Sequence, residues 1–337
     1  MATPKNNRWR SRVTYDAYWN AFCATERTEV FCDTETGGIH AFRTEGEAFD
    51  KALASIMANK ESDDIFLGDC SAEPSAEDIR LASAIAGDDL LQFSAIKYRV
   101  DNGVRTELEV LDLYIMNRQP IDPGASKVNH ITEESLKEMN APDEDKAFEI
   151  IKAFFADSNV FIAYNEPFDF SMLEALYVRH GEEFNPPRRF DVMAMGIDLY
   201  SMYKMTSRKL KDVAKKLGVA TGEEEFHNAL DDIRVTVKVF EAMAPDYEKM
   251  PEPVDTSKFR TPRIRRHWVW QNPSTYKMVR IYFQTDCGKI FMEKLDRSFG
   301  TDGTYSIDEL NMEGFQKAVL DYFKVDKLED VVHLKLQ

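Results

Sequence analysis

In three distant segments of this chain an apolar, β-like or helical run meets a turn at an acid. VFCDTETGG carries Asp33 and Glu35, VFIAYNEPFDFSML carries Asp169, and FHNALDDIRVTVKVF carries His227 and Asp232. Four carboxylates and one imidazole can hold two divalent ions and deprotonate a water. That is the apparatus of hydrolytic phosphoryl chemistry.

Asp33 and Glu35 stand two apart on a strand, so their side chains leave one face while Thr34 points away. Carboxylates held that close repel unless a cation lies between them. Oxygen donors of this kind suit Mg²⁺ or Mn²⁺. Asp169 reads as the end of the turn after the strand VFIAYN, near the carboxyl edge of a sheet. A lone Asp there is more often a helix N-cap. Asn165, four residues upstream, is placed to orient a substrate or the ligand. His227 and Asp232 would lie about 140° apart on a continuous helix. They converge only if His227 sits in the loop before the helix and Asp232 within it, and GEEEF before His227 fits such a loop. Asp231 is a rival to Asp232. The apolar stripe Ala229, Ile233, Val237 and Phe240 borders Asp232, while Asp231 faces further out, so Asp232 is preferred.

Along the chain, a helix-bearing lead-in precedes a short buried strand over Val30 to Asp33, closed by the Gly37-Gly38 turn. Residues 39–88 are acidic, with one amphipathic helical stretch, GEAFDKALASIMANK. Leu90 to Val100 and Glu107 to Ile115 alternate as a hairpin around Asp101-Asn102-Gly103. Thr132 starts a helix, Asp145 to Phe155 is another, and Val160 to Tyr164 is a second buried strand. The helix after Asp169 runs to about His180 and stops at Gly181. FDVMAMGIDLYSMY, LKDVAKKLG and Ala229 to Met243 read as further helices. Pro245, Pro251 and Pro253 then mark a linker. Beyond it HWVWQ, YKMVRIYFQT and KIFMEKL read as strands and Met312 to Phe323 as a helix, a separate small α+β module.

The 337 residues suffice for a large core, and no apolar run approaches the length of a membrane span. Cys23, Cys32, Cys70 and Cys287 are scattered and read as free thiols of a reducing cytoplasm. The net charge of −16 runs against binding a polyanion. Local potential decides such binding, however, and three segments are basic: Lys5 to Arg12, Lys204 to Lys216, and 258–268. In the last, Arg260, Arg263, Arg265 and Arg266 precede Trp268 and Trp270, a composition suited to phosphate contact and base stacking.

DTETGG, YNEPFDFSML and HNALDDIRVT resemble the three motifs of DnaQ-like 3′→5′ exonucleases of the DEDDh type, in that family's order and spacing. LLQFSAIKY and KVNHITEESL match its second strand and its later turn, and PIDPGASK with that turn looks most like exonuclease X. The resemblance runs from about Val30 to Met243. It implies an RNase H-like α/β fold, a mixed central sheet flanked by helices, with a small C-terminal α+β domain outside it. The implied layout is a lead-in over 1–29, an exonuclease domain over 30–245 with an insert at 39–88, a linker at 246–257 and an accessory domain over 258–337. By similarity Asp33, Glu35, Asp169 and Asp232 hold two Mg²⁺ or Mn²⁺ and His227 is the general base. Likewise Thr36 would touch the terminal nucleotide and Asn165 and Phe168 would line its pocket; outside the resemblance, composition alone assigns Arg260, Arg263, Arg265, Arg266 and Trp268 to nucleic-acid contact further off. The implied substrate is single-stranded DNA with a free 3′ end, the alternatives being RNA tails or a non-catalytic binding module. The acidic insert offers a docking surface for a protein partner, and no membrane is involved. Gly38 and Ile39 stand where relatives often wedge the terminal base, so that role is not carried over.

Overall fold

A computed structural model describes residues 12–63, 73–200, 202–220, 229–250, 252, 264–271, 278–285, 290–296, 300–305, 320–321 and 324. The chain divides into two compact units, the first built on Asp16–Met250 and the second on Pro251–Gln337.

The first unit is organised by strand β1 (Glu26–Thr36). It pairs antiparallel with β2 (Leu90–Asp101), which pairs antiparallel with β3 (Val104–Tyr114). On its other side β1 lies parallel to β4 (Val160–Ala163), which lies parallel to β5 (Arg189–Asp191). The sheet order is therefore β3-β2-β1-β4-β5, a mixed five-stranded sheet. The two residues between β2 and β3, Asn102 and Gly103, have φ of 48° and 82°. Positive φ at both central positions matches the strands' twist, and Asn-Gly tolerates it best.

β1 extends beyond the apolar run Val30 to Asp33, and its buried polar residue Glu29 is satisfied by one partner on the same strand and one on β3. Glu29 is fully buried and takes Arg27 Nε at 2.7 Å and Arg105 Nε at 2.9 Å. Strand alternation then sorts the rest. Phe31 joins Ile96, Tyr98 and Phe190 in one core, and Val30 and Cys32 join Phe93 and Phe161 in the other.

Helices cover both faces. α8 (Val192–Leu199) and α10 (Ala229–Lys249) pack with Met195, Leu199, Phe240 and Met243 on the Phe31 side. α6 (Glu144–Phe155) and α7 (Glu166–Arg179) bring Phe148, Ile151, Leu173 and Leu176 to the other. This is the RNase H-like arrangement that the resemblance implied.

Some elements were not legible beforehand. Between β1 and β2 there are two helices rather than one, α2 (Glu47–Asp63) and α3 (Ala76–Ala86). α3 is opened by a capping box in which Ser75 and Asp78 bond reciprocally to each other's backbone N–H. A further short helix, α4 (Pro123–Asn129), starts on an Asp122 N-cap with Pro123 in its first turn. α10 continues through Pro245 to Lys249, so residues 246–249 are helix and not linker. Tertiary anchoring overrides the proline: Tyr247 is fully buried, and its hydroxyl donates to Asp198 at 2.9 Å.

The second unit holds an antiparallel sheet in the order β6-β7-β8-β9, from β6 (Ile264–Gln271), β7 (Met278–Thr285), β8 (Ile290–Asp296) and β9 (Gly300–Tyr305). β9 went unread because GTDGTY has weak strand propensity. Pairing with β8 supplies what propensity lacks. The helix expected at Met312 to Phe323 lies mostly outside the described residues; 320–321 are helical.

The Arg27–Glu29–Arg105 cluster makes a stability prediction. Arg105 is also ion-paired to Glu241 at 2.6 Å and sits over the Phe31 and Phe240 rings. Removing one member of a buried cluster leaves the others uncompensated, at a cost of about 3 kcal/mol or more. Glu29→Ala is expected to lower the unfolding free energy by that amount, read in urea as a lower midpoint with an unchanged slope.

Candidate active site

Asp33 and Glu35 leave β1 on the same face as Phe31, at its carboxyl end. Their partners across the ladder are Ser94 and Gln92, both buried. Thr34 leaves the opposite face, and its hydroxyl donates to Asp169 Oδ1 at 2.8 Å. The alternation that separates Thr34 from its neighbours thus ties a third acid to the strand.

Asp169 itself is 2 % exposed and lies inside the first turn of α7 rather than at its cap. The N-cap is Asn165, at φ 69°, followed by Glu166 and Pro167. Pro167 suits the first turn of a helix, where no N–H partner is required. This shifts the start upstream and leaves the Asp169 carboxyl to face inward. Asn165 makes no side-chain cap bond, and its backbone N–H donates to Asp191 Oδ1 at 3.0 Å.

Asp232 lies in the first turn of α10. Phe240, two turns on, packs against Phe31 at 5.9 Å between ring centroids, which seats this helix over β1. The Asp232 charge acts on both Asp33 and Glu35. His227 lies outside the described residues, as do Arg260 and Arg263. Arg265, Arg266 and Trp268 fall on β6 of the second unit.

The electrostatics follow from placing these acids together. Burial raises the Asp33 carboxyl well above the usual range, and Asp169, Glu35 and Asp232 raise it further. Glu35 is pushed up to about 7 by burial and then by Asp232, against a hydrogen bond from Asn129. Asp169 is pushed up to about 8 by burial, against the bond from Thr34. Among the described residues no three His, Cys, Asp or Glu side chains form a ready-made cage for one ion. The donor set is nonetheless all oxygen and strongly self-repelling, which fits hard divalent cations shared with water and substrate.

A cavity of about 630 Å³ opens beside Glu35. Thr36 and Phe168 line it, whereas Asn165 does not. It is also lined by Arg43 and Asp88, from the segment between β1 and β2, and by Asn129 and Val128 of α4. None of these four was singled out in the sequence. Asn129 is buried, and its amide donates to the Thr36 carbonyl at 3.0 Å while its side-chain oxygen takes the Ile131 N–H. Its place directly before the Ile131-Thr132-Glu133 turn was the available signal.

Fold and site together define an RNase H-like domain with an acid-rich centre beside a substrate-sized cavity. Residues 78–240 match the profile of the RNase_T family, described as Exonuclease. The match begins inside α3, after Asp33 and Glu35. The chain is 28% identical over 161 residues to a DNA polymerase III subunit epsilon-like protein of Rhodobacter capsulatus, covering 47% of this chain and 21% of that one. It is 29% identical over 157 residues to a PolC-type DNA polymerase III of Thermotoga petrophila, covering 45% and 10%. The chain thus spans about a fifth or less of these curated relatives. Among solved structures it is similar to the zinc-ion-bound E. coli exonuclease I–ssDNA complex, at a TM-score of 0.47, 14% identity, and coverage of 92% and 70%. It is also similar to exonuclease X in complex with 5′ overhanging duplex DNA, at a TM-score of 0.38, 14% identity, and coverage of 64% and 92%.

The raised carboxyls predict a pH-dependent stability. Unfolded carboxyls titrate near 4. Those of the folded site hold their protons to higher pH, so their contribution is fully present below about pH 4 and lost as pH rises through about 7 to 8. In chelator, the thermal midpoint should fall between pH 5 and pH 8. Mg²⁺ or Mn²⁺ should raise it more at pH 8 than at pH 5.5, and Asp33→Asn should raise the chelated midpoint at pH 8. Equal cation effects at both pH values would contradict this account.

Proposed function

We propose that the chain is a metal-dependent 3′→5′ exonuclease that removes nucleoside 5′-monophosphates from the 3′ end of single-stranded DNA. The observation that carries this reading is the electrostatic convergence of Asp33, Glu35, Asp169 and Asp232, drawn from three separate elements, beside the Thr36–Phe168 cavity.

Asp33, Glu35, Asp169 and Asp232 would hold two Mg²⁺ or Mn²⁺ ions, which supply Lewis-acid stabilisation of the phosphoryl oxygens and a more acidic water. The remaining work falls to the chain's own groups. Thr34 keeps the Asp169 carboxyl facing its neighbours through the 2.8 Å bond. The Thr36 hydroxyl donates to the Gly38 carbonyl at 2.5 Å, so its oxygen is left to accept a hydrogen bond from a sugar hydroxyl. Phe168 offers a ring face on the cavity wall for the terminal base. His227 takes the proton of the attacking water, since an imidazole with an ordinary value near 6.5 can do so at neutral pH. The water oxygen forms a new bond to phosphorus, the P–O bond to the 3′-oxygen of the penultimate nucleotide breaks, and that oxygen takes a proton from solvent water while the proton on His227 returns to solvent. Arg260, Arg263, Arg265, Arg266 and Trp268 supply phosphate and stacking contacts to the strand, offsetting a net charge of −16.

The test is digestion of 3′-accessible single-stranded DNA, duplex DNA and RNA side by side with Mg²⁺ or Mn²⁺. Single-stranded DNA should be consumed fastest, with 5′-mononucleotides as product. Asp33→Ala and His227→Ala should each reduce release by at least about 100-fold without unfolding the chain. Full nuclease activity in Asp33→Ala would remove the assignment.

A further inference from the structure

We propose that Arg43 binds a phosphate of the DNA strand upstream of the scissile one, and that Asp88 is the positioning residue that aims it. This deepens the exonuclease reading and rests on it. The cavity that begins at Glu35 and Thr36 is lined by the acids Glu35, Asp88 and Asp122, an unwelcoming surface for a polyanion. Arg43 is the one lysine or arginine among its lining residues. A strand leaving the catalytic carboxylates along this cavity meets that cation.

The guanidinium is held but remains accessible. Nη2 of Arg43 donates to both oxygens of Asp88, at 2.8 and 3.0 Å. That grip falls on one nitrogen and leaves Nη1 to donate to a phosphate oxygen. The Arg43 side chain is 42% exposed, against 4% for Arg179 and 13% for Arg105, whose ion pairs belong to the interior. The Arg43 backbone is pinned as well, its N–H donating to the Ser83 carbonyl of α3 at 3.0 Å.

Asp88 is in turn fixed by the turn that follows the catalytic strand. Its Oδ2 accepts the His40 N–H at 2.8 Å, and its own N–H donates to the His40 carbonyl at 2.7 Å. Its carboxylate lies so close over Gly38 that a Cβ there would come within 2.3 Å of Oδ2. An exposed ion pair contributes little to stability. What this one supplies is a fixed direction for a donor, set from the same turn that carries Thr36.

The test compares two substrates of the full-length protein in Mn²⁺. One is an oligothymidylate strand. The other is the p-nitrophenyl ester of thymidine 5′-monophosphate, which has no upstream phosphate. Arg43→Ala should raise KM on the strand about 10-fold with kcat little altered, the worth of one charge-assisted contact. The loss on the ester should be clearly smaller. The slope of log kcat/KM against log salt on the strand should flatten by about 0.7, the release expected for one phosphate contact on a single strand. Arg43→Lys should recover the salt slope but only part of KM. Asp88→Asn should raise KM on the strand by a smaller factor, leaving the slope near that of the unaltered protein. Equal losses on strand and ester would assign Arg43 to packing of the turn and overturn the proposal. So would a strand KM and salt slope indifferent to Arg43→Ala while the unaltered protein degrades both substrates. An unaltered protein that hydrolyses neither would overturn the exonuclease reading and this inference with it.

Discussion

Four carboxylates facing one another are an unfavourable arrangement, and much of the first unit can be understood as the means of holding it. Left to itself, such a cluster would spread or protonate. It is kept together because each acid comes from an element fixed by other forces. β1 is paired along both edges and fills a core on both faces. α7 is fastened by Leu173 and Leu176 below and by the Thr34 hydroxyl at the site. α10 is seated by aromatic packing of Phe240 on Phe31, Phe190 and Phe22. The raised carboxyl values measure strain that apolar burial elsewhere sustains, and that a divalent cation would relieve.

How much of this was legible in the sequence depended on whether the information was local. Asp33, Glu35, Asp169 and Asp232 stood out because each lies where an apolar run with its own periodicity meets a turn, and the hairpin was announced by Asn102-Gly103. Asp169 was misplaced by a few residues, since the choice between a cap and a first-turn position rests on Pro167 and on a contact with Thr34 across 135 positions. The true end of α10 was hidden for the same reason. Pro245 is a local stop signal, and the buried Tyr247 that overrides it is a tertiary fact. Arg43, Asp88 and Asn129 were invisible as a group, because only folding places them around one cavity.

The two units differ in what the amino acids can say. In the first, burial, pairing and electrostatics converge on a single region. In the second, the described part is an antiparallel sheet whose first strand carries Arg265, Arg266 and Trp268. The net charge is −16, and the most basic stretches of the sequence are segments that do not carry the carboxylates. Among the described residues no helix is long and apolar enough to cross a membrane.

The excursion between β1 and β2 leaves and returns through one clamp. Gly37 N–H meets the Asp89 carbonyl at 2.8 Å, Asp88 N–H meets the His40 carbonyl, and a side chain at Gly87 would come within 2.0 Å of the Ala41 carbonyl. A loop with its ends pinned together is a socket. The entropy of closing it grows only slowly with length, so what is plugged in can be lengthened, shortened or exchanged at little cost to the scaffold. Variation within 44–74 is thereby uncoupled from β1, while the clamp residues themselves are not free to drift. For a lineage, that is a place to acquire new modules without rebuilding the enzyme. For an engineer, it is the natural site to splice one in.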